Sequence, residues 1–145
     1  SRLETMFDDL LSGNGKAFSE LLGGYLRDLV SVYDTANKES FYHGFVLGMT
    51  ALFVSDYIIE SNRESGYGRF DLAIIPKDVS KAGVIMEFKV ASREADMAAK
   101  AKEALQQIEE REYVTEFRQR GIQRVWKYGI AFCGKKILAF QGPMC

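Results

Sequence analysis

The 145 residues, 47% hydrophobic and 12% aromatic, hold enough apolar material for one compact core and too little chain for a second domain of ordinary size. A net charge of −1 and a pI near 5.9 argue against a generic polyanion binder. No run reaches the roughly 18 apolar residues of a membrane span, and the charged opening SRLETMFDDLL lacks a signal-peptide pattern, so a soluble, cytoplasmic chain with no membrane partner is expected.

The opening residues read as mid-helix with no initiator Met, which suggests one domain excised from a longer protein. Leu3–Leu11 and Ala17–Val32 place Leu, Phe, Tyr and Val at spacings of three and four and predict two helices separated by the turn SGNGK. DTANK breaks the pattern before a third helix, Glu39 to about Val54, in which Phe41, Phe45, Met49, Leu52 and Phe53 are expected to form a buried stripe. Three strands follow, SDYIIESN, GRFDLAIIP and AGVIMEFKV, the last two forming a hairpin across KDVSK. Ala95 to about Arg118, rich in Ala, Glu, Lys and Gln and free of Gly and Pro, predicts one long helix. RVWKYGIAFC and KKILAFQ complete the chain as strands that turn at Gly134-Lys135. With no repeat or low-complexity linker, this order predicts an α/β or α+β sandwich.

Charge is unevenly distributed along these elements. Residues 1–116 carry 13 Lys/Arg against 20 Asp/Glu, while residues 117–145 carry Arg118, Arg120, Arg124, Lys127, Lys135 and Lys136 and no acid. That end either meets phosphates or forms an ordinary solvated surface around the last strands. Cys133 and Cys145 form no CxxC or Cys/His cluster and read as two thiols rather than a disulfide or a zinc site.

The central strands contain three ionisable residues where apolar ones are expected. Glu87 and Lys89 share one strand face about 6.6 Å apart, with Met86, Phe88 and Val90 on the other. If the second and third strands pair, Asp71 reaches the same place. Burying such charges without partners costs several kcal/mol, so the cluster needs a compensating cation or open solvent. Mg²⁺ prefers oxygen ligands and is commonly held by one or two carboxylates with water and phosphate. A bound ion there could activate water, with Lys89 facing the charge that develops on phosphorus. The competing reading is a structural Asp/Lys/Glu salt-bridge group at a strand end.

These residues lie in a longer pattern: ESFYHGFVLGM (39–49), SNRESGYGRFD (61–71), VIMEFKV (84–90), ALQQIEEREY (104–113) and YGIAFCGKK (128–136). In this order the chain resembles the PD-(D/E)XK nuclease superfamily, in particular a branch often found C-terminal to an AAA-ATPase-like domain. The resemblance implies a restriction-endonuclease-like αβββαβ core, a central mixed sheet flanked by helices, with extra N-terminal helices. Residues 1–34 would be a helical connector packed on the core and residues 35–145 the nuclease-like domain. It further implies Asp71 and Glu87 as metal ligands with the Phe88 carbonyl as a third donor, Lys89 as catalytic lysine, Glu39 as the first-helix acid that holds metal directly or through water, and Gln107 as an orienting or substrate-contacting group. Phe70 replaces the proline of the superfamily's name. The implied cofactor is Mg²⁺, with Mn²⁺ as a substitute, and the implied partners are nucleic acid, DNA foremost, and an ATPase-like domain; a homodimer stays open. A non-catalytic nucleic-acid-binding or regulatory module is the alternative function.

Further candidates have two readings each. His43 lies four residues after Glu39 and is either a substrate contact or a packed, hydrogen-bonded residue. Arg69, on the same strand face as Asp71, binds phosphate or partners local acids. Glu64, ahead of SGYG, is a loop acid or a supporting group. Tyr113, six residues past Gln107, falls on another part of the expected helix and reads as core. Trp126, Tyr128, Arg124 and Lys127 read as a half-buried strand rather than as a nucleic-acid surface.

Overall fold

The computed structural model describes the chain except residues 66, 67, 112 and 145 and the side chains of residues 32, 33, 52 and 62–70. Helix α1 (Arg2–Leu11) starts in a capping box, in which the Ser1 hydroxyl accepts the Glu4 amide hydrogen at 3.2 Å and the Glu4 side chain reaches back. Helix α2 (Gly15–Leu29) starts where Asn14 accepts from the Ala17 amide. A short helix α3 (Val32–Thr35) precedes α4 (Glu39–Thr50), which tightens into a single 3₁₀ turn at Ala51–Phe53. Between α3 and α4, Ala36 and Asn37 both take positive φ, and the Asn37 side chain accepts from the Gly134 amide at 2.7 Å. This fixes the direction in which α4 leaves.

Strands β1 (Tyr57–Ser65), β2 (Gly68–Pro76) and β3 (Gly83–Val90) form an antiparallel meander. Helices α5 (Met97–Glu110) and α6 (Val114–Gln119) then cross over to β4 (Val125–Cys133), which runs parallel to β3, and β5 (Lys136–Gln141) closes the far edge antiparallel. The result is a mixed five-stranded sheet in the order β1-β2-β3-β4-β5. From α4 onward it has the expected αβββαβ order, with β5 appended.

Period-2 alternation assigns each strand residue to a face. Leu72, Ile74, Val84, Met86, Phe88, Tyr128, Ile130 and Phe132 pack under α1, α2 and α4. Ala73, Ile75, Ile85 and Val125 pack with Ile108, Tyr113 and Phe117 of the α5–α6 layer. Trp126 leans toward the α1 side, its indole N–H donating to the Leu11 carbonyl at 3.1 Å. Among the described residues no helix is long and apolar enough to cross a membrane.

Two helix expectations need correction. The stretch expected as one helix, Ala95 to Arg118, is a 3₁₀ turn at Glu94–Asp96 followed by two separate helices. Met97, Ala101, Ala104 and Ile108 form the buried stripe of α5. Tyr113 lies five residues beyond Ile108, about 140° around a continuous helix, and would face away from the sheet. The break turns Tyr113 and Phe117 back into the core, where they are 1% and 3% exposed. In α4 the buried stripe is Tyr42, Val46 and Thr50, while Phe41, Phe45, Met49 and Phe53 are half-buried beside it. The helix is apolar nearly all round, so the sheet decided which row faces inward.

Gly129 on β4 allows α5 to lie close: a Cβ there would collide with the Ala101 carbonyl oxygen and the Leu105 amide nitrogen, both backbone atoms that cannot turn aside. Gly129→Ala should therefore lower the free energy of unfolding by about 1–3 kcal/mol or more in urea titrations. Gly44→Ala, where nothing lies within 4 Å, should raise it by about 0.5–1 kcal/mol. Equal effects at the two sites would show that the α5 approach is not tight.

Candidate active site

The recorded ladder between β2 and β3 runs over three pairs and stops at Leu72↔Met86. One step beyond, side chains replace the backbone pairing. The Asp71 amide donates to Glu87 Oε1 at 3.3 Å, and the Phe88 amide donates to Asp71 Oδ2 at 2.7 Å. Two amides at the sheet's opening are thus satisfied by two carboxylates, as buried backbone donors require. Glu87 follows Ile85 on the α5 face, where α5 lies across β3 and β4, and Gln107 Nε2 donates to its Oε2 at 3.2 Å.

From the opposite layer, His43 on α4 places Nε2 2.9 Å from the Asp71 carbonyl and 2.9 Å from the Ser61 hydroxyl. A carbonyl oxygen only accepts, so Nε2 carries the proton and its ring links α4, β1 and β2. Its ring meets Phe88 in an edge arrangement with centroids 5.9 Å apart. Glu39, Ser40, His43 and Asp71 line a cavity of about 230 Å³.

Glu87 is 2% exposed, and its pKa is pushed up to about 9 by burial first, then by the charge of Asp71 and a hydrogen bond between the two carboxyls; Lys89 opposes the shift. Glu39 is also raised, by burial and then by Asp71, with Lys89 and His43 acting in the other direction. Three carboxyls and one ammonium therefore share one electrostatic field. No ion pair joins Lys89 to Glu87 or Asp71 among the described residues, which disfavours the salt-bridge reading.

The donor set suits a hard divalent cation: two adjacent carboxyls, one of them held protonated by burial and by its neighbour, are oxygen ligands short of positive charge. Among the described residues no three His, Cys, Asp or Glu side chains form a ready-made cage.

The side chains of Arg69, Glu64 and Phe70 lie outside the described residues. The basic end of the chain is not one patch: Arg120 pairs with Glu60 at 3.0 Å, Arg124 donates to the Ser80 carbonyl, Lys127 is buried against Glu109, Lys135 donates to the Arg27 carbonyl and Lys136 pairs with Glu94. Tyr128 is fully buried, in keeping with a core strand. On one continuous helix Tyr113 falls on another part of the surface from Gln107, but α5 ends at Glu110. With the helix broken, the Tyr113 hydroxyl accepts from Arg111 at 3.3 Å and also hydrogen-bonds the Gln107 side chain. The out-of-phase aromatic pair Tyr113 and Phe117 was the signal for that break.

A family model described as the PD-(D/E)XK nuclease superfamily matches residues 37–141. No curated protein gave a match.

Glu87 holds its proton in the folded chain at pH values where the unfolded chain loses it. Its contribution to stability is therefore complete below about pH 4.5 and is lost as pH rises toward about 9. In a chelator, Glu87→Gln should unfold at a higher temperature than wild type, and the gap should widen between pH 5 and pH 9. A lower melting temperature across that range, measured by calorimetry, would instead identify Glu87 as half of a stabilising ion pair. His43→Ala, which removes the shared donor to Asp71 and Ser61, should cost about 1–2 kcal/mol, with His43→Gln recovering part of it in the same assay.

Proposed function

Because the chain belongs to the PD-(D/E)XK nuclease superfamily, we propose that it is a divalent-metal-dependent nuclease that hydrolyses phosphodiester bonds of nucleic acid, with DNA as the first substrate to test. The observation that carries the reading is the pair Asp71 and Glu87, crossing hydrogen bonds where the sheet opens, with Lys89 on the same strand face.

In this reading Asp71 and Glu87 hold Mg²⁺, or Mn²⁺ in its place, with Glu39 reaching it directly or through water and the Phe88 carbonyl as a further donor. When bound, the ion activates a water and polarises a phosphoryl oxygen. The remaining work belongs to the chain. The Asp71 and Phe88 amides and Gln107 hold the two carboxylates at fixed angles, which lowers the reorganisation needed at reaction. His43 fixes the Asp71 backbone from the other layer. Lys89 offers positive charge to the developing phosphorane oxygens. The helices before residue 35 are proposed as a connector to an ATPase-like domain, with a cytoplasmic setting and a homodimer as further proposals.

One observation favours the second reading, a non-catalytic nucleic-acid or regulatory module: most basic side chains of residues 117–145 are engaged with the protein itself. The two readings separate on metal. With Mg²⁺ the wild-type chain should cut an oligonucleotide, and Glu87→Ala or Lys89→Ala should slow cutting by on the order of 10²-fold or more. Calorimetric Mn²⁺ titration should show Gln107→Ala weakening affinity about 10- to 100-fold. Cutting that survives either first-named substitution sinks the mechanism, and a folded chain that binds no Mn²⁺ favours the module.

A further inference from the structure

The break that ends α5 leaves a second feature beside the carboxylates. Arg111 caps the helix, its amide donating to the Gln107 carbonyl at 3.2 Å, so it lies one turn beyond Gln107 on the same helix side. Its guanidinium Nη1 donates to the Tyr113 hydroxyl at 3.3 Å, and Tyr113 is 1% exposed, wedged in the core with Ile108 and Phe117. Arg111 itself is exposed. A guanidinium carries five N–H donors, so one is spent on the anchor and four remain for another partner.

Several other cations of this layer are already committed. Arg120 pairs with Glu60, Lys127 with Glu109, Lys100 with Glu103 and Arg93 with Asp96. Arg111 has no ion pair with the described residues. An anionic strand approaching Asp71 and Glu87 meets repulsion from the carboxylates and needs compensating positive charge beside them. An anchored, planar, permanently charged fork suits a phosphate oxygen pair, and the buried phenol has already restricted its rotamers.

We propose that Arg111 is a substrate-contact residue that grips a phosphate of the nucleic-acid strand beside the one cut, with Tyr113 as the positioning residue that aims it. The proposal rests on the nuclease reading of the same site. Its rival is local: a cation at a helix C-terminus stabilises the helix dipole and needs no substrate.

The test uses the full chain, Mg²⁺ and fluorescein-labelled single-stranded and duplex oligonucleotides, followed by cleavage and by anisotropy. Arg111→Ala should raise KM about tenfold with kcat within about threefold, and should flatten the dependence of log KM on log salt by about 0.7–0.9. Arg111→Lys keeps the charge and should fall between, and Tyr113→Phe should raise KM while keeping the salt slope. A wild type that cuts, with an Arg111→Ala variant whose KM and salt slope are unchanged, overturns the proposal and leaves the nuclease reading standing. A fall in melting temperature with KM unchanged assigns Arg111 to the helix dipole. A wild type that binds labelled strands without cutting rejects catalysis alone, and anisotropy of Arg111→Ala then decides the contact. A wild type that neither binds nor cuts overturns both.

Discussion

Strands β3 and β4 run parallel, and this one fact organises the molecule. Parallel neighbours cannot be joined by a tight turn, so the chain must leave the sheet after Val90, cross one face and return before Val125. The crossover lays α5 over the strand that carries Glu87. Gly129 lets it lie close enough for Gln107 to reach the carboxylate. A looser crossover would leave an acid buried with one hydrogen bond fewer, a costly state in a low-dielectric setting.

The buried acid in turn explains why β2 and β3 part where they do. A continuous ladder would satisfy the Asp71 and Phe88 amides with backbone carbonyls, which would take the amide donor from each carboxyl and leave Glu87 with Gln107 alone. By parting one step beyond Leu72↔Met86, the strands exchange ladder bonds for bonds to charge-bearing oxygens. The opening is also what gives α4 its access: His43 reaches the Asp71 carbonyl and Ser61 from the opposite layer. The two helical layers therefore both act on the Asp71–Glu87 pair, one through Gln107 and the other through His43.

Much of this was legible in local pattern. The alternation of Glu87 and Lys89 with Met86, Phe88 and Val90 puts two of the charges on one strand face. The hairpin over KDVSK then brings Asp71 beside Glu87. What local pattern could not supply was choice among equivalents. In α4 every row is apolar enough to be buried, so the selection of Tyr42, Val46 and Thr50 depends on which row fits the sheet. Residues 95–118 have high helix propensity throughout, and propensity says nothing against a straight rod. Only the cost of leaving Tyr113 and Phe117 in water breaks it. The partners of the basic residues 120–136 are likewise long-range, from Glu60 on β1 to Glu94 before α5, and charge counting along the chain cannot see them.

Trp126 is the single tryptophan of the chain, and its indole N–H is tied to the Leu11 carbonyl at the end of α1. It lies opposite Val84, three pairs before the register position of Glu87. Its emission is therefore an optical gauge of how α1 is seated on the sheet, read some distance from the carboxylates. The chain carries its own label for its N-terminal layer, and that layer can be watched without disturbing a residue near the two carboxylates.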